Sequence, residues 1–185
     1  MDYCKEIIEL ENKGELREAG ILSYEIWRSD RSQKNLLNAA LEIWYILFHD
    51  EMLGMDIPPN DVLYDCWTDV LSEINSKLDV DAELMFYSGY MMMIGFYLFD
   101  GAAYGVSVED IPDYGISLME KAFKIDPNDA VFAIQHIRNE YINEDYAFCL
   151  RECRKTAEMH RSDIQARFLG GGMINDYFLD IFLDW

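Results

Sequence analysis

The stretch LMFYSGYMMMIGFYLF, residues 84–99, runs sixteen positions without a charged side chain. Its apolar residues follow neither a single helix face nor a two-residue alternation, so as a helix it is apolar on every side. A membrane-spanning helix wants about twenty such residues, with Lys or Arg at its cytoplasmic flank. Here Asp79, Asp81 and Glu83 precede the run and Asp100 follows it. The segment therefore reads as the central buried helix of a soluble bundle, near 81–99, with no membrane role. Met91, Met92 and Met93 fall on three different sides of that helix, where flexible thioether chains fill gaps in a core.

On both sides of this helix the chain keeps helical periodicity and almost never alternates with period two. The spacing predicts further helices near 2–12, 15–29, 33–49, 61–77, 107–125, 129–142, 145–160 and 162–183. Gly14 separates the first two, and Asn60 is placed to cap the fourth. Asp126-Pro127-Asn128 ends the sixth, because proline cannot continue a helix. Ser107 with Asp110, and Ser162 with Gln165, have capping-box spacing. Gly170-Gly171-Gly172 follows Phe168-Leu169, with no strand before it and no GKS/T after it. It reads as a break between two C-terminal helical pieces rather than as a phosphate loop. With 185 residues, 51% of them hydrophobic, the chain suits one all-α domain spanning 1–185.

Helices of this length joined by short turns form helical hairpins, and two stretches carry a repeat-like pattern. In the first, Gly115, Met119, Ala122 and Pro127 take the small, large, small and proline positions at the end of a second repeat helix and the turn after it. In the second, Lys13-Gly14-Glu15-Leu16-Arg17-Glu18-Ala19 has the form of an inter-helix turn with a small residue at Ala19. Together they resemble the tetratricopeptide (TPR) repeat over roughly 40 residues. The Trp, Leu-Gly and Tyr signature of that repeat's first helix is absent, and the linker around 100–113 is too long for a regular array. The expected fold is thus an irregular TPR-like array of eight or nine helices. In such stacks small residues let helices approach closely and large ones fill the adjoining holes.

Charge is the feature that points outward. The chain carries a formal −20 with a pI near 4.3. From residue 61 to residue 118 there are eleven Asp or Glu against the single base Lys77, or −10 in 58 residues. Asp61, Asp65, Asp69 and Glu73 recur every four residues, which stacks them on one helix face. Like charges at that spacing repel by a few tenths of a kcal/mol per pair. Asp79, Asp81 and Glu83 extend the acidity toward the next helix, and Glu109, Asp110 and Asp113 follow the long linker. Acids in a first turn are favoured by the helix dipole, which accounts for Asp81, Glu83, Glu109 and Asp110. Asp65, Asp69 and Glu73 have no such account, since they run toward the negative end of their helix. With Tyr64 at the edge of the same helix, these residues form the expected contact set for a basic protein partner. Direct nucleic-acid binding is not expected, because it needs clustered Lys and Arg.

No nucleophile elbow, P-loop, HExxH or dinucleotide fingerprint occurs in the sequence. Cys149, Cys153 and His160 return to nearly the same helix face, but no fourth ligand accompanies them, and buried Cys commonly serves as small apolar filler. His49 and His136 are isolated. No metal, cofactor or enzymatic activity is expected. Cys4, Cys66, Cys149 and Cys153 are too few and scattered for a disulfide framework. Met1-Asp2-Tyr3-Cys4-Lys5-Glu6 has neither a basic nor an apolar leader region, so a cytoplasmic location with reduced thiols is expected.

Small size, helical build and concentrated acidity are similar in overall character to immunity proteins of bacterial toxin systems, including those of contact-dependent growth inhibition. That resemblance implies neutralisation of a basic toxin, such as a nuclease, by tight stoichiometric binding. Two other readings are open. A TPR-like chaperone or scaffold would hold an extended peptide in its groove, with Arg31, Lys34, Asn35 and Asn38 as clamps. A helical enzyme would use a carboxylate pair that the sequence does not single out.

Overall fold

The computed structural model describes residues 4–50, 54–55, 57–58 and 61–183. Among these, ten α-helices and no strand are found: α1 (Lys5–Lys13), α2 (Leu16–Ser29), α3 (Gln33–Phe48), α4 (Val62–Asn75), α5 (Ala82–Ile94), α6 (Ile111–Ile125), α7 (Ala130–Tyr141), α8 (Tyr146–Met159), α9 (Arg161–Arg167) and α10 (Met173–Leu183). Sequence neighbours pack as hairpins, α1 through α4 in one run and α5 through α8 in another. The runs meet where α5 lies against α3, and α10 returns to close on α3, α8 and α9.

The nine consecutive residues from Leu84 to Met92 are all buried, as an all-round apolar helix requires. Phe86 stacks on Phe132 of α7 at 4.5 Å, and Tyr87 and Tyr90 meet Phe178 of α10 edge-on. Each large side chain removed from water in this way contributes about 1.5–3 kcal/mol. The tightest contact lies between α5 and α6, where Gly89 and Gly115 face each other backbone to backbone. A Cβ built on Gly89 would press into the Gly115 carbonyl, and one on Gly115 would sit 2.9 Å from Met92 Cβ. Met119, Ala122 and Ala19, the other predicted packing positions, are also buried, while Pro127 lies exposed in the turn after α6.

Four sequence expectations are corrected. The central helix stops at Ile94 instead of continuing to 99, because Gly95 leaves helical geometry. Two 3₁₀ turns follow, Phe96–Leu98 and Gly101–Tyr104. The 162–183 range divides at the expected glycine break into α9 and α10, parted at Gly171 and Gly172, both at positive φ; counted separately, the two pieces raise the helix number from the expected eight or nine to ten. Ser107 does not cap a helix: its hydroxyl donates to the Asp110 carboxylate at 2.7 Å, and another 3₁₀ turn, Val108–Asp110, precedes α6. Ser162 is likewise no cap, since α9 starts at Arg161. Asn60 lies outside the described residues, and the side chain that caps α4 is Asp61.

Candidate interaction face

The four-residue acidic stripe of α4 is largely neutralised from within. Asp61 accepts the Leu63 amide as the N-cap and takes two hydrogen bonds from Arg17 Nε of α2, at 2.9 and 3.1 Å. Burial alone would raise its pKa, but the amide and the guanidinium outweigh it and hold the carboxyl below its usual range. Asp69 accepts the Tyr24 hydroxyl at 2.6 Å and Arg28 Nη1 at 3.1 Å, again from α2. Glu73 pairs with Lys77 at 2.6 Å, and that bond lowers its pKa. Asp65 alone is exposed on the crest of α4 with no ion pair among the described residues.

The other predicted acids divide in the same way. Asp81 caps α5 through the Leu84 amide at 2.8 Å, and Glu83 lies 3.7 Å from Arg167. Asp110 holds the Ser107 hydroxyl. Asp79, Glu109 and Asp113 are exposed. Asp79 is close enough to Tyr114 of α6 to raise its hydroxyl pKa, after the larger effect of burial.

A groove of about 650 Å³ opens between α4 and the 3₁₀ segment after Gly95. One wall is the flank of α4 from Tyr64 and Trp67 to Leu71 and Asn75; the other carries Tyr97, Phe99, Asp100 and Tyr104. The Trp67 indole N–H donates to the Leu98 carbonyl at 2.9 Å and ties the walls together. Trp67 meets Phe99 edge-on at 5.5 Å, and Tyr104 packs on Tyr114 at 5.6 Å. Burial pushes the Tyr104 hydroxyl up to about 12, and its buried oxygen has no hydrogen-bond partner among the described residues. Asp100 caps the second 3₁₀ turn through the Ala102 amide and remains exposed. Among the described residues, no Lys, Arg or His lines this groove.

Tyr64, offered by the sequence as an edge aromatic, is thus a wall residue. Asp100 and the aromatic wall were not legible as a site, because a helix running to 99 would have scattered Tyr97 and Phe99 around its circumference. Gly95 was the signal that could have revealed the break.

The remaining candidates resolve as structure. Cys149 and Cys153 are buried with their sulfurs 4.0 Å apart, and burial pushes the Cys153 thiol up to about 12. His160 ends α8 and faces Asp163 at 3.4 Å. Among the described residues no group of three His, Cys, Asp or Glu is arranged to hold a metal ion. His136 bonds Glu120 at 2.7 Å and stacks on Phe123, while His49 packs among Tyr45, Phe48 and Tyr177. Of the peptide-clamp set, Asn35 bonds Asp30 and Arg31 stacks 4.2 Å over Trp27, whereas Lys34 and Asn38 line a second groove of about 580 Å³ that also holds the ion pair of Glu83 and Arg167. No helix among the described residues is long and apolar enough to cross a membrane.

Compared with known proteins, the chain matches no family model, no curated protein and no solved structure.

Proposed function

We propose that this chain is a stoichiometric protein-binding module that neutralises a basic toxin, as an immunity protein does in a bacterial cytoplasm. The observation that carries the reading is the contrast along α4. Asp61, Asp69 and Glu73 are matched by Arg17, Arg28 and Lys77, while Asp65 on the same face, and Asp79, Asp100, Glu109 and Asp113 in the segments that follow, are exposed and form no ion pair among the described residues. A partner that binds nucleic acid brings the complementary Lys and Arg. Charge attraction then speeds capture, and aromatic anchors in a desolvated centre supply affinity.

The test is capture of the tagged chain with its partner from native cells, washed at about 0.1 M and then about 1 M salt, a change that shortens the screening length from about 10 Å to about 3 Å. The reading expects one basic protein at one-to-one stoichiometry, weakened by salt and by the exposed double change Asp65→Lys/Asp79→Lys. Several unrelated clients held equally at both salts would contradict it.

A further inference from the structure

We propose that the groove between α4 and the 3₁₀ segment is the seat for an arginine side chain of that basic partner; this rests on the reading above and names its anchor. The groove combines flat ring faces with acceptors and lacks cations. Tyr64, Tyr97 and Tyr104 supply rings above the buried Trp67, while Asp100 and the Asn75 amide oxygen supply acceptors.

A guanidinium fits this chemistry better than any other side chain. It is planar, stacks on aromatic faces, presents five donors and never loses its charge. The chain uses the same pairing for its own structure elsewhere: Arg31 lies over Trp27 at 4.2 Å, Arg28 over Tyr24 at 5.7 Å and Arg167 over Phe132 at 5.6 Å. In the groove the rings are present without an arginine, since the described lining residues include no Lys, Arg or His. The surrounding charge is one-sided as well. Asp65 stands next to Tyr64 on α4, and Asp100 is in the wall. An acidic or neutral peptide would meet repulsion there or leave the carboxylates unmatched. An arginine on a protruding loop would have its charge met by Asp100 and its faces covered by the rings.

The experiment uses the whole chain, labelled with nitrogen-15, and an end-blocked peptide of alternating arginine and glycine as probe, with the citrulline version as its neutral isostere. Amide and indole signals are followed by NMR during titration at low salt. The expected result is saturable shifts of the Trp67 indole N–H and of residues 96–104, at least tenfold weaker binding with citrulline, and about fivefold weaker binding in Tyr64→Leu. Asp100→Asn, which keeps a capping side chain, should also weaken binding. Shifts spread over all exposed acids, without saturation and unchanged in Tyr64→Leu, would overturn the groove while leaving the acidic face as a charge-based interface. No shift with either peptide would overturn the groove and the acidic-face reading together.

Discussion

Glu42 lies fully buried beside Glu11 between α3 and α1, and neither of its carboxyl oxygens has a hydrogen-bond partner among the described residues. Two ionised carboxylates side by side repel each other, so burial together favours a proton on one of them. The surroundings place it on Glu42, whose oxygens meet no amide or cation among the described residues, and whose pKa is pushed well up by burial and then by the Glu11 charge. Glu11 is raised by burial too, but it accepts the Met173 amide at 3.2 and 3.3 Å and keeps the charge. One carboxylate from α1 thereby caps α10, some 160 residues later.

This pair gives stability a definite pH dependence. A raised folded-state pKa means that the folded chain holds a proton the unfolded chain releases above the ordinary carboxyl range. The contribution is full below that range and is lost as pH rises through the folded value, at up to about 1.4 kcal/mol per pH unit. In Glu42→Gln a neutral amide replaces the protonated carboxyl. Denaturant unfolding at pH 5, 6, 7 and 8 should show the variant gaining on the parent as pH rises. A constant difference would contradict the proton on Glu42.

The Gly89–Gly115 contact leaves no room for a methyl group. Gly115→Ala should lose about 1–3 kcal/mol to overpacking, even though alanine favours the helix by about 1 kcal/mol. Thermal and denaturant melts would measure it; an unchanged or raised stability would show that α5 and α6 can separate without cost.

Asp61 and Asp65 should behave in opposite ways although they share a helix face. Asp61→Asn keeps the cap but breaks the Arg17 pair and should cost under about 1 kcal/mol, while Asp61→Ala also loses the cap and about 1 kcal/mol more. Neither should weaken partner binding much. Asp65→Lys should leave stability unchanged or raise it by a few tenths of a kcal/mol, by relieving repulsion from Asp61 and Asp69, and should weaken binding. Melting curves beside binding isotherms would separate the two roles.

Arg167 joins three elements: it forms two hydrogen bonds to Asp129, lies over Phe132 and approaches Glu83. Arg167→Ala leaves the half-buried Asp129 carboxylate uncompensated and should cost about 2–3 kcal/mol; Arg167→Lys, a point charge without the planar fork, should recover only part of it. Full recovery by lysine in denaturant unfolding would assign the effect to charge alone.

Local signals wrote much of the fold into the sequence. The all-round apolar run at 84–92, the small residues Ala19, Gly115 and Ala122, and the glycine break before Met173 each act through neighbours a few residues away. The α4 stripe was visible as well, but its neutralisation was not. Arg17 and Arg28 come from more than 40 residues upstream, and only the packing of α2 on α4 brings them to Asp61 and Asp69. The pairing of Glu11 with Glu42 and the aromatic groove are equally products of tertiary packing, with no period or motif to announce them.

The most direct test of the central claim is hydrogen exchange on the complex with the captured basic partner, compared with the free chain. The account predicts slowed exchange at 64–75 and 95–104, with residues 33–38 and 160–167 unchanged. Protection at 33–38 and 160–167, around Lys34 and Arg167, with 64–75 and 95–104 unaltered would contradict it and move the binding site to the other groove.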